Sequence, residues 1–183
     1  MELNILNRVN SPKDLKRLDE EELMLLAEEI REVIIEKVSQ TGGHFGPNLG
    51  MVEATIAMHY VFNSPVDKIV YDVSHQCYPH KILTGRKHGF IDPEQFGSIT
   101  GYSSPRESEH DFFTVGHTPS YSLATRLLLV SLSIVYCVSL MQNCASSVIG
   151  YTESLLSHGA VNASAASANG LLLGRIFRVK KSL

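Results

Sequence analysis

Residues 68–81 of this 183-residue chain read KIVYDVSHQCYPHK. The first six of them form a short, β-rich run, which predicts a buried β-strand over residues 68–73. A polar turn that carries His75 and His80 follows the strand directly. Ligands in open α/β sheets bind beyond the carboxyl ends of the strands. The stretch therefore predicts an α/β fold with a candidate binding site at this turn.

The spacing of the two histidines bears on the kind of site. His75 and His80 lie five residues apart, which does not place two metal ligands on one face of a helix. Asp72 and Cys77 fit no usual zinc-ligand spacing with them. Hydrogen-bonding roles are therefore favoured over metal ligation.

Helix signals precede this stretch. Ser11 and Pro12 predict the N-cap and first position of a short helix. Asp19 and Glu22 have the spacing of a capping box, and apolar residues at helical spacing follow them. We therefore expect a long amphipathic helix that ends near Ser39.

A glycine-rich loop follows this helix. Residues 41–50 read TGGHFGPNLG, and four glycines in ten residues predict a shaped loop, neither helix nor strand. The spacing alone leaves open whether His44 braces this loop or contacts a ligand. A further helix is expected after it, with Val52, Ile56 and His59 on its faces.

A second histidine-bearing turn lies downstream. Residues 105–111 read PRESEHD, either a solvated surface turn or part of a site. Residues 112–115 are a candidate strand, and Gly116-His117-Thr118 follows them. Two such turns converging at one sheet edge would bind an anionic ligand through imidazole and backbone N–H donors.

Residues 5–125 resemble the N-terminal part of the 1-deoxy-D-xylulose-5-phosphate synthase family. These are transketolase-like enzymes that depend on thiamine diphosphate. The motifs that carry the resemblance are SQTGGH at 39–44, PNLG at 47–50, VE at 52–53, HYVF at 59–62, YDVSHQ at 71–76, YPHKILTGR at 78–86, ESEHD at 107–111 and GHT at 116–118. They occur in the family's order and at its spacings.

The resemblance implies a fold, a reaction and a set of site residues. The fold would be an incomplete thiamine-diphosphate-binding domain, with a parallel sheet and flanking helices. The reaction would condense pyruvate with glyceraldehyde 3-phosphate in isoprenoid precursor synthesis, and intact members would be homodimers. By matching motif, His75 would contact the cofactor diphosphate, and Gly116, His117 and Thr118 would line the cofactor. His44 would be the active-site histidine, placed for proton transfer or substrate contact.

Two departures from the family pattern matter. Ser74 stands where the family usually has glycine. The family also holds Mg²⁺ through an Asp in a Gly-Asp-Gly motif, and Mg²⁺ prefers carboxylate and diphosphate oxygens. No aspartate follows Asp111 in this chain, and residues 148–152 read VIGYT. Thiamine diphosphate and Mg²⁺ are therefore implied by the resemblance, but we expect no metal ligand from this chain.

The composition changes at about Thr125. Residues 1–125 carry a net charge of −7 and all seven prolines, whereas residues 126–183 carry +4 and no aspartate. We therefore divide the chain into the N-terminal part of a diphosphate-binding domain, 1–125, and a divergent tail, 126–183.

Three interpretations of the tail stay open. It is a divergent part of the same fold, a membrane segment, or the product of out-of-frame translation. Residues 127–152 hold no formal charge. An uncharged run of this length could span a membrane, although several serines weaken that interpretation. The abrupt loss of proline and aspartate favours out-of-frame translation, since local sequence normally agrees with the global fold.

Two main hypotheses for function follow. The first is a fragment of the synthase that is inactive by itself. The second is a non-catalytic remnant that pairs with a full-length homologue; a membrane anchor at residues 127–141 is a weaker third. The net charge of −3 argues against a nucleic-acid partner. Three irregularly spaced cysteines make no disulfide framework, so we expect reduced thiols and a cytoplasmic location.

Overall fold

The computed structural model describes residues 3–71 and 73–114. Helices of very different length make up its regular structure. The α-helices are α1 (Pro12–Leu15), α2 (Glu20–Thr41), α3 (Gly46–Leu49), α4 (Val52–Val61), α5 (Tyr78–Lys81) and α6 (His88–Ile91). There are 3-10 turns at Leu6–Arg8 and Pro93–Gln95, and a kinked π-type turn at Ile82–Arg86.

Helix α2 is the longest element, with 22 residues. The predicted capping box is confirmed: the Glu22 N–H donates to Asp19 Oδ1 at 2.9 Å, and the Asp19 N–H donates to Glu22 Oε2 at 3.1 Å. The helix ends at Thr41, two residues beyond the expected end near Ser39, because Gly42 takes a φ of 72°. The short helix that begins at Pro12 is also confirmed.

The core lies on the inner face of α2, which packs against α4 and α6. Burial of apolar surface is the main driving force for this packing. The fully buried residues of the core include Leu6, Leu15, Leu23, Leu26, Ile30, Ile34, Ile56, Ile82 and Leu83. The loop after α2 and the turn before α5 both adjoin this core.

The predicted strand at residues 68–73 is not confirmed. Residues 68–71 have no regular structure, residue 73 is a bend, and Asp72 lies outside the described residues. Ile69, Val70 and Tyr71 are buried as expected. The apolar pattern thus predicted burial correctly, but a strand also needs a paired neighbour, and no strand occurs within residues 3–71 and 73–114.

The remaining predictions about the fold have different outcomes. The glycine-rich loop was expected to hold no helix, which is wrong at Gly46–Leu49, where a single helical turn forms. Residues 112–114 are not a strand. Val115, the Gly116-His117-Thr118 turn and the tail at 126–183 lie outside the described part of the chain. Within that part, no helix is both long and apolar enough to cross a membrane.

Two charged side chains hold the N-terminal segment against the body. The Glu29 carboxylate accepts hydrogen bonds from the backbone N–H groups of Asn4, Ile5 and Leu6 at 2.6–3.1 Å. The Lys87 ammonium donates to three backbone carbonyls between Leu6 and Val9 at 2.8–3.1 Å. The two charges therefore satisfy opposite ends of the same short turn.

Replacing Glu29 with Ala should lower the free energy of unfolding by about 1.5–3 kcal/mol, the usual cost of losing hydrogen bonds to a charged group. Denaturant unfolding measures this loss, and hydrogen exchange should accelerate at the Ile5 and Leu6 amides. Glu32→Ala is the matched control, because Glu32 is exposed on the same helix. Equal losses in the two variants would contradict the assigned role of Glu29.

Candidate functional site

His44 and His75 lie beside each other although 31 positions separate them in sequence. Their ring centroids are 5.7 Å apart and the ring planes are inclined at 72°. His44 lies in the loop after α2, and His75 in the turn before α5. The fold therefore brings these two predicted site residues together.

Two tyrosines surround His44. The Tyr102 hydroxyl lies 3.2 Å from His44 Nε2, and the two ring centroids are 5.1 Å apart. The His44 backbone N–H donates to the Tyr78 hydroxyl at 3.3 Å. The site thus combines two imidazoles and two phenol groups, all of which can donate hydrogen bonds to an anionic oxygen.

Gly43 permits this close approach. Its φ is +136°, and a Cβ at this position would lie 2.8 Å from the Tyr78 hydroxyl oxygen. A side chain would therefore be strained in its backbone and would collide with Tyr78. The glycine-rich sequence is explained here by a specific contact.

Asn48 connects the two loops. Its Nδ2 donates to the His44 carbonyl at 2.6 Å and to the His75 carbonyl at 2.8 Å. Its Oδ1 accepts from the Tyr78 N–H at 2.8 Å. Asn48 is completely buried, so its amide depends on these three hydrogen bonds in place of water.

The backbone directly before His75 is strained. Val73 and Ser74 have φ values of 60° and 57°, in the left-handed region that favours glycine. Non-glycine residues there cost about 1–3 kcal/mol each, and such strain concentrates at functional sites. The Ser74 hydroxyl accepts from the Ser103 N–H at 3.1 Å. The family's glycine at position 74 therefore has a conformational reason, and Ser74 partly offsets its strain with a hydrogen bond.

A buried polar network lies on the other side of α5. His80 Nε2 is 2.9 Å from Asp111 Oδ1, and His80 Nδ1 is 2.8 Å from His59 Nε2. Arg86 donates to both Asp111 oxygens at 2.7 and 3.1 Å. The hydrogen-bonding role favoured for His80 is therefore confirmed.

The hydrogen-bonded series Asp111–His80–His59 determines where the imidazole protons lie. The Asp111 carboxylate only accepts, so His80 carries its proton on Nε2. A neutral His80 then accepts on Nδ1 from the Nε2–H of His59. Burial lowers the pKa of His80 and lowers that of His59 much further. Burial alone would raise the pKa of Asp111, but hydrogen bonds from His80 and Arg86 hold it well below its usual range.

The charged stretch at 105–111 is only partly a surface turn. Pro105, Arg106 and Glu109 are exposed, as that interpretation requires. Glu107, however, accepts from the buried Lys81 ammonium at 2.5 Å, and Asp111 is buried against Arg86. The surface-turn interpretation is therefore wrong for these two acids.

The same acidic and imidazole side chains are candidate ligands for a metal ion. No group of three or more His, Cys, Asp and Glu side chains within residues 3–71 and 73–114 could hold a metal ion. The imidazole and phenol groups around His44 can donate hydrogen bonds to an anionic oxygen, and this set of groups includes no carboxylate, the ligand that a hard cation such as Mg²⁺ prefers.

Cys77 lies next to the site but is completely buried. Burial raises the pKa of its thiol to about 12. Because the thiolate is the reactive form, a disulfide reagent at pH 8 should label Cys77 roughly a thousandfold more slowly than an ordinary thiol. Peptide mass spectrometry measures the labelling, with exposed Ser39→Cys as the rapidly labelled control. Equal rates at the two positions in native buffer would contradict this burial.

Sequence reasoning missed three members of the site. Asn48 lies in the PNLG motif at 47–50, but neither the motif nor the spacing predicts a contact for it, nor for Tyr78 and Tyr102. Apart from the Asn48–His44 contact, four positions apart, their partners are 27 or more positions away, so no local spacing could indicate those contacts. The only signal was an asparagine within a glycine-rich loop, which is equally typical of a turn.

The family model and the relatives that match this chain carry the same description. A family model described as 1-deoxy-D-xylulose-5-phosphate synthase matches residues 6–150. The protein of that name from Caldanaerobacter subterraneus subsp. tengcongensis is 56% identical over 123 residues, which are 67% of this chain and 20% of the relative. That from Dictyoglomus thermophilum is 57% identical over 113 residues, 62% of this chain and 18% of the relative.

The match extends beyond residue 125. A third relative of the same name, from Desulfotalea psychrophila, is 47% identical over 146 residues, 80% of this chain and 22% of the relative. The division at residue 125 stays a prediction. The chain spans about a fifth of the length of these relatives. Because the family model covers most of its residues, the chain belongs to the 1-deoxy-D-xylulose-5-phosphate synthase family.

Proposed function

We propose that this chain supplies the N-terminal part of the thiamine-diphosphate site of a 1-deoxy-D-xylulose-5-phosphate synthase. The whole enzyme would condense pyruvate with glyceraldehyde 3-phosphate. The observation that carries the proposal is the meeting of the His44 and His75 loops, with ring centroids 5.7 Å apart. Both histidines lie in motifs that match the family.

Each predicted site residue has a proposed task. His75 binds a diphosphate oxygen, as its motif implies. His44 holds or moves a proton at Nε2, where the Tyr102 hydroxyl orients the ring. The bound cofactor supplies the electron sink for making and breaking carbon–carbon bonds. Gly116, His117 and Thr118 are proposed to line the same cofactor.

The remaining parts of the site must come from elsewhere. We propose that Mg²⁺ accompanies the diphosphate and takes its protein ligands from outside this chain, because Glu107 and Asp111 are already engaged by buried cations. We also propose that residues 68–73 become a strand of a parallel sheet when the domain is complete. A homodimer and a cytoplasmic location complete the proposal.

A chimeric enzyme tests this function. Residues 1–114 of this chain would replace the matching segment of the Caldanaerobacter relative. We expect the chimera to form deoxyxylulose 5-phosphate from pyruvate and glyceraldehyde 3-phosphate with thiamine diphosphate and Mg²⁺. A folded chimera without turnover would contradict the proposal. The 183-residue chain assayed alone should give no turnover, and His44→Ala in the chimera should reduce turnover strongly.

A non-catalytic module that pairs with a full-length homologue is the second candidate. Helix α2 carries the exposed apolar side chains Met24, Leu25 and Ile35, which are 52%, 56% and 45% exposed. Such side chains favour association when a partner covers them. Size-exclusion chromatography with a full-length relative should then show a complex. A monodisperse monomer in the same mixture would contradict this candidate.

A further inference from the structure

We propose that Asn48 is the positioning residue that sets the separation of His44 and His75, so that both imidazoles face one ligand. This inference rests on the proposed function only for the identity of the ligand, which is taken to be a diphosphate. The separation itself depends on contacts within the described chain.

Three segments meet at the Asn48 side chain. It joins the carbonyl of His44, four positions before it, to the carbonyl of His75, 27 positions after it. The same side chain accepts from the backbone N–H of Tyr78 in α5. Asn48 therefore ties the loop after α2 to both the turn before α5 and the first residue of α5.

The chemistry of this junction requires an amide. Two carbonyl oxygens need donors, and one N–H needs an acceptor. Asparagine provides both donors and the acceptor at this length of side chain. An aspartate would place carboxylate oxygens against the two carbonyls, and an alanine would leave all three backbone groups without these buried partners.

Helix α5 has a separate anchor on its other side. His80 is held by Asp111 and His59, independently of Asn48. The rings of His59 and His80 are stacked with centroids 5.0 Å apart. Loss of the Asn48 amide should therefore release the His44 loop from the His75 turn without disturbing the His59–His80 contact.

The two pairs of histidine rings provide a direct test in the full 183-residue chain. Nuclear Overhauser contacts between the His44 and His75 rings should be lost in Asn48→Ala and Asn48→Asp. The His59–His80 contact should persist in both variants. Asn7→Ala removes an amide from an exposed position and should leave both contacts intact. A retained His44–His75 contact in the two Asn48 variants would overturn the proposal.

A second measurement covers the case in which the variants fail to fold. In the unmodified chain, couplings across the hydrogen bonds should link Asn48 Nδ2 to the carbonyl carbons of His44 and His75. Their absence would equally overturn the proposal. If thiamine diphosphate fails to shift the His44 and His75 ring signals of the chimeric enzyme while these contacts hold, the proposed function fails and the role of Asn48 stands.

Discussion

Replacing Asp111 with Asn should lower the free energy of unfolding by about 3–5 kcal/mol, the typical cost of breaking a buried ion pair by removing one partner. Asp111 is 4% exposed and accepts from Arg86, His80 and the Ser104 N–H. The variant removes the nearer carboxylate partner of the buried Arg86 guanidinium and leaves it only the longer contact to Glu107 at 3.4 Å. Denaturant unfolding followed by circular dichroism measures the loss.

Glu109→Gln is the matched control for this prediction. It makes the same kind of change two residues away, at an exposed position. Its effect should stay within the roughly 0.5 kcal/mol that surface substitutions usually produce. Equal stabilities of the Asp111 and Glu109 variants would show that the buried network does not stabilise the fold as described.

Stability should also fall as the pH is lowered from 7 to 5. His59 and His80 have pKa values below the unfolded value of 6.5, so the unfolded chain binds protons there that the folded chain does not. Each histidine that stays neutral in the fold then costs about 2 kcal/mol of stability over this interval. Asp111, whose folded pKa is lowered, adds a further loss as the pH falls through and below 3.8.

His59 should dominate this pH dependence. Its Nδ1 is buried and has no hydrogen-bond partner among residues 3–71 and 73–114, while His80, Lys16, His110 and Arg86 disfavour a further positive charge. His59→Gln should therefore flatten the slope of stability against pH by about 1.4 kcal/mol per unit below pH 6. An unchanged slope in His59→Gln would contradict the assignment.

Local signals predicted the helices of this fold well. The capping box at Asp19 and Glu22 and the proline at position 12 act through neighbours in sequence, and both helix starts were predicted. The strand at 68–73 was not confirmed, because its apolar residues indicate burial whereas strand formation depends on a distant partner. Local patterns therefore predict this chain only as far as its contacts are local.

The candidate site shows the same limit. The family resemblance gave His44 and His75 their roles, and the structure brings them together. Asn48 and Tyr102 act on these histidines across 27 and 58 positions, which no spacing rule could connect. The left-handed backbone at Ser74 likewise explains the family's glycine only once the φ angle is known.

Titration of the chimeric enzyme, in which residues 1–114 of this chain are completed by the Caldanaerobacter relative, with thiamine diphosphate and Mg²⁺, followed through its histidine ring resonances, tests the central claim most directly. We expect the signals of His44 and His75 to shift together and to saturate with one binding constant, while the signal of exposed His88 stays in place. Ring signals of His44 and His75 that do not move, or that move no more than that of His88, would contradict the assignment of these loops as one cofactor site.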